Sequence, residues 1–142
     1  MTVTVDRPYQ LTLHPMHAVF LAGTIPLFLG AALSDIAYAY SYQIQWSNFS
    51  SWLIAGGLVF AGLAIVAALL GLTHAEGRGR RGGIYLALLL ATWVLGFINA
   101  LVHAKDAWAM MPMGLILSVI VTVLACAATG VRFSGRRVGG AQ

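Results

Sequence analysis

The chain has 142 residues, of which 60% are hydrophobic and only 8% charged. Globular domains in water carry about a quarter charged residues, so a chain this apolar cannot cover a water-facing surface and must have lipid as its solvent. The net charge of +4 and the pI near 9.7 do not mark a nucleic-acid binder. The basic residues lie in short segments between apolar runs, where membrane topology places them.

Four apolar runs follow a short arm that carries Asp6 and Arg7. The first covers about residues 16–40, and the others about 52–73, 84–102 and 110–131. The second reaches roughly 33 Å at about 1.5 Å per residue, enough for a hydrocarbon core of about 30 Å. Backbone groups in lipid need partners within the segment, so each run is expected to be a helix. A cleaved signal peptide is the competing reading of the first run, since Ala37-Tyr38-Ala39 resembles a cleavage site. The run is longer than a signal-peptide core, and Asp6 offsets the charge of Arg7 before it. Asn48-Phe49-Ser50 matches a glycosylation sequon, a short pattern that carries no weight here.

Arg7, Arg78, Arg80, Arg81, Arg132, Arg136 and Arg137 fall in the arm, the second loop and the tail, against Lys105 alone in the third loop. Four spans put the first group on one face, and the positive-inside rule makes that face cytoplasmic. The expected fold is therefore all-α, a single transmembrane four-helix bundle with both termini cytoplasmic, crossing a bacterial inner membrane. The second loop, with glycines around its arginines, can also meet anionic lipid headgroups. Trp46 and Trp52 beside the first loop, and Trp108 in the third, read as an aromatic belt at the outer face.

Small residues recur every four positions in the fourth run, at Gly114, Ser118, Thr122, Cys126 and Gly130. The third run repeats this at Thr92, Gly96, Ala100 and Ala104, and the second has Gly57 with Ala61 and Ala64 with Ala68. Such rows form shallow grooves that let helices approach closely, within the bundle or against a partner or a second copy. Cys126 is the one cysteine, which excludes a disulfide framework and paired-cysteine redox or zinc motifs.

Asp35 is the only carboxylate within a span, and it is expected near the outer interface, roughly 12 Å from the helix middle. The reading for a residue there is an interfacial aspartate that caps or pairs, with His103 or Lys105 as partner. Asn99 and His103 share one side of their helix, so Asp35, Asn99 and His103 can form a polar cluster. Such a shallow carboxylate disfavours a proton-coupled dimeric transporter, which needs one near the midplane. His14 and His17 precede the first span and His74 follows the second, so His14 or His17 with His74 could ligate one haem b near the inner leaflet. No second histidine exists at the outer face for a second haem. The sequence holds no nucleophile–base constellation, phosphate loop or zinc signature, so no catalytic residue and no metal site is expected.

His14-Pro15-Met16-His17, Pro26, Asp35, Ala55-Gly56-Gly57, Asn99, Pro112-Met113-Gly114-Leu115 and Thr129-Gly130 follow one another along residues 13–135. This succession resembles a family of small bacterial four-helix membrane proteins classed as a domain of unknown function. The resemblance implies a four-span fold and an association with redox modules such as Rieske proteins, c-type cytochromes and quinoprotein dehydrogenases. On that basis His14 and His17 match the family's opening motif, and a periplasmic dehydrogenase is the implied partner. Family members often carry a further histidine and a Phe-Pro early in the first span, where this chain has Ala22-Gly23-Thr24-Ile25-Pro26. Many also carry an arginine where His103 stands. Two functions emerge as expectations: a membrane anchor linked to haem b or quinone electron transfer, and a cofactor-free structural or docking protein.

Overall fold

The computed structural model describes residues 15–72 and 79–134. They form α1 (Pro15–Ser41), α2 (Ile44–Leu72), α3 (Arg80–His103), the short α4 (Ala107–Met110) and α5 (Met113–Ser134). The four long helices are long and apolar enough to cross a membrane. His14, His74, Arg78 and the C-terminal tail lie outside the described residues.

Each long helix packs chiefly on two others, in the order α1–α2–α3–α5 around the bundle. Successive helices run in opposite directions, so Leu21, Ala64, Tyr85 and Ala128 meet at one end. The interior faces repeat at alternating steps of three and four residues. In α3 the buried positions are Tyr85, Leu89, Thr92, Gly96, Asn99 and His103. In α5 they are Gly114, Leu117, Ser118, Val121, Ala125 and Ala128. The same rhythm runs through Leu21, Thr24, Phe28, Ala31 and Asp35 in α1, and through Ser50, Ile54, Gly57, Ala61 and Ala64 in α2. This is the seam spacing of coiled-coil packing.

Only part of each four-residue row of small side chains lies on that seam. Gly114 and Ser118 are buried, whereas Cys126, Gly130 and Ala104 are exposed. Each step of four residues advances about 40° around a helix, so the row rotates off a seam that alternates three and four. The outer faces carry exposed large side chains such as Leu33, Val59, Val66, Leu101 and Val123. A patch of that extent is tolerable only against lipid. Hydroxyls inside the spans bond back to their own helix, as with Thr24 to the Phe20 carbonyl and Thr92 to the Leu88 carbonyl. They cost little in hydrocarbon for that reason.

Phe28 fills the middle of the bundle and is fully buried. Its ring lies where a Cβ on Gly57 would come within 2.8 Å and one on Gly96 within 3.3 Å. One large ring on α1 is thus matched by two missing side chains on α2 and α3.

The second helix begins at Ile44 rather than near Trp52, so the first connection shrinks to Tyr42 and Gln43. Tyr42 adopts φ 54°, a left-handed turn residue that ends α1 without glycine. Trp46 therefore sits on a helix, exposed, and not in a loop. Ser47 and Ser50, in this added stretch of helix, point into the bundle. Trp108 belongs to α4, whose Met110 is fully buried and accepts a bond from the Ser47 hydroxyl at 3.4 Å.

Candidate functional site

Each long helix contributes a side chain to one buried polar cluster: Asp35 from α1, Ser50 from α2, Asn99 and His103 from α3, and Ser118 from α5. Asp35, Ser50, Asn99 and Ser118 have no exposed surface, and His103 is 7% exposed. The His103 Nε2 lies 2.9 Å from Asp35 Oδ1, and the Ser118 hydroxyl donates to Asp35 Oδ2 at 2.5 Å. The Asn99 Nδ2 in turn donates to the Ser118 Oγ at 2.9 Å. His103 Nδ1 is 3.0 Å from the backbone carbonyl of Asn99, which can only accept, so Nδ1 carries a proton. Ser50 Oγ is 3.2 Å from both the Ala31 carbonyl and His103 Nε2. It donates to the carbonyl, and it accepts from Nε2 when that nitrogen also carries a proton.

With one proton on the line between Nε2 and Oδ1, the Asp35–His103 pair is neutral as a unit whichever atom holds it. This is how a carboxylate can be enclosed in a bundle surrounded by lipid, where a lone charge would be prohibitive. Asp35 is thus enclosed by the bundle and paired. It sits near the end of the span, as expected, but four helices close around it. Its partner is His103; Lys105 is exposed. Ser50, which sequence reading left inside a sequon, and Ser118, read only as a small groove residue, complete the set. The amide oxygen of Asn99 is the buried side-chain polar atom left without a partner among the described residues.

Gly114 explains how the imidazole fits. A Cβ there would stand 2.9 Å from His103 Cε1, so the ring lies against the bare backbone of α5. Gly114→Ala is expected to push the ring off Asp35 and destabilise the bundle by about 1–3 kcal/mol. Gly130→Ala, where a Cβ meets nothing within 4 Å, should be neutral or slightly stabilising. Paired unfolding curves of the two variants in mixed micelles would check the contrast.

A second polar contact occupies the opposite end. His17 is buried, and its Nε2 lies 2.8 Å from the Tyr85 hydroxyl. The Arg132 guanidinium stands 5.7 Å from the Tyr85 ring centre. His17 and Asp35 are separated along α1 by roughly 27 Å at 1.5 Å per residue, so the two clusters are independent. Of the histidines considered for haem ligation, the described one is engaged with Tyr85. Tyr85 itself carries no sequence signal beyond its place on the seam.

Four apolar helices closing around a neutralised Asp–His pair define an integral membrane protein of the four-span bundle class. A family model described as a predicted membrane protein (DUF2231) matches residues 13–136, and the chain belongs to that family. Comparison with curated proteins and with solved structures gives no match.

Proposed function

We propose that the protein is a cofactor-free structural subunit of a bacterial inner membrane, a locked bundle that docks and holds a partner protein. The observation that carries this reading is how the interior is used. Phe28 fills the centre against Gly57 and Gly96, and both described histidines bind protein groups through Nε2. An intramembrane carboxylate is a functional candidate by default. Here it is spent on joining the four helices to one another. Arg80, Arg81 and Arg132 gather at the end opposite Asp35, which supports placing that end in the cytoplasm. The outward-turned part of the small-residue row on α5, Cys126 and Gly130, is where a partner helix could approach closely.

The second reading is the redox one, a membrane anchor that holds one haem b or serves a quinone for a periplasmic dehydrogenase. Its support is the buried place of His17 near the start of α1. His17 would have to exchange Tyr85 for iron, with His74 as the opposing ligand, or else His14 would take its place. Purification from a haem-replete host, followed by oxidised and reduced absorption spectra, separates the two. The structural reading predicts a colourless, stable protein that added haemin leaves unchanged. A stoichiometric b-type spectrum that disappears in His74→Ala would overturn it in favour of the redox reading.

A further inference from the structure

Beside the Asp35 cluster, at the same end of the bundle, lies a half-open pocket of about 390 Å³. Tyr38, Ala39, Tyr42, Trp108, Met111, Pro112 and Leu115 line it, and none of them is charged. The three aromatic rings come from α1, the α1–α2 turn and α4. The Tyr38 and Tyr42 rings are 6.4 Å apart at 73°, and the Tyr42 and Trp108 rings are 6.2 Å apart at 33°. Tyr38 is only 5% exposed, yet its hydroxyl forms no hydrogen bond among the described residues. It is not among the sealed unpartnered atoms either, so it opens toward the space that Tyr38 lines.

We propose that this cavity binds a quaternary ammonium group. The wall chemistry selects that class. Tyr and Trp ring faces carry negative potential and attract a cation held within about 6 Å of them. A primary ammonium or a metal ion would also need several oxygen acceptors to replace its water, and among the lining side chains only the two tyrosines carry an oxygen. A quaternary ammonium has no N–H to satisfy and a diffuse charge, so methyl groups against aromatic faces suffice. The Tyr38 hydroxyl remains free to bond an oxygen carried beside the ammonium. The cavity lies where the spans end, so the group can arrive on a choline-type lipid headgroup or on a small solute.

The test uses the full-length protein in maltoside micelles, titrated calorimetrically with tetramethylammonium, choline and ammonium chlorides. Saturable binding of the first two but not of ammonium is expected, weakened about two- to fivefold in Trp108→Ala. Trp108 is 79% exposed, so its removal leaves the bundle packing alone. Tyr42→Ala, also at an exposed position, is a second variant with the same expectation. Native mass spectrometry after exchange into phosphatidylcholine or phosphatidylglycerol nanodiscs then distinguishes the sources. Preferential retention of the choline lipid, lost in Trp108→Ala, assigns the headgroup, and retention of neither lipid assigns a solute. Absence of saturable binding, equal binding of ammonium, or binding that both variants leave unchanged would overturn the proposal.

Discussion

Asp35→Ala is expected to cause a large loss of stability. The substitution removes the acceptor of both the His103 Nε2 and the Ser118 hydroxyl. It leaves the His103 Nε2 with only the longer Ser50 contact, the Ser118 hydroxyl without its acceptor, and Asn99 bonded to a serine that has lost its own anchor. Removing one member of a buried pair costs about 3–5 kcal/mol in soluble proteins. Single hydrogen bonds between membrane helices are worth less, about 0.6–2 kcal/mol, because the unfolded chain in lipid finds other partners. Two bonds are lost here, and the imidazole keeps only Ser50 and the Asn99 carbonyl. An intermediate loss of about 2–4 kcal/mol follows, read from reversible unfolding in mixed micelles. Asp35→Asn should cost less, because an amide of nearly the same shape can still accept one of the two bonds. A similar loss in both variants would mean that the intact carboxylate with both accepted bonds, and not its shape, carries the effect.

Gly57→Leu is also expected to cause a large loss. A Cβ at Gly57 already comes within 2.8 Å of the Phe28 ring, and Gly96 blocks that ring's retreat toward α3, with a Cβ position 3.3 Å from Phe28 Cζ. Phe28 is fully buried, so it has no exposed position to swing into. Overpacking of a tight core costs about 1–3 kcal/mol for modest insertions. A four-carbon side chain at the central contact should reach or exceed the top of that range. Phe28→Ala combined with Gly57→Leu should recover part of the loss, since the new side chain then enters the space the ring vacates. Thermal unfolding of the two single variants and the double variant in one detergent checks both statements.

The membrane character and the number of spans were legible in the sequence because a helix in lipid needs a long run without charge, and the four runs stand out for that reason. The boundaries were less so. The start of α2 is polar because Ser47 and Ser50 face the interior, and an inward serine looks the same in sequence as a serine in a loop. The interior seam was hidden for a related reason. In water, the buried face of a helix is its apolar face. Here large apolar residues such as Leu33, Val59 and Val123 face outward, while Gly57, Gly96, Ser118 and Asn99 face inward. A search for apolar periodicity therefore has little contrast to read. Rows of small residues at every fourth position gave part of the packing surface, but they missed the alternating step that keeps a seam facing its neighbours.

The polar end of the bundle divides in the same way. Asp35, Asn99 and His103 could be grouped from their depth and helical spacing alone. What spacing could not supply was lateral position, so the enclosure of an aspartate near the end of a span had no signal in the sequence. Ser50 and Ser118 gave no signal of their own, since a hydroxyl matters only once the carboxylate and imidazole it serves are in place. Gly114 is the clearest case of a residue whose meaning is tertiary. It makes room for the His103 ring, a contact between α5 and α3 that no local pattern reports.

The link between Asp35 and His103 across the bundle is tested most directly by a double-mutant cycle of Asp35→Ala and His103→Ala, with unfolding measured in one lipid–detergent mixture. If the two side chains hold each other as described, the double variant will be more stable than the sum of the single losses allows, with a coupling of at least about 1 kcal/mol. Strictly additive losses would show that the carboxylate and the imidazole do not meet inside the membrane.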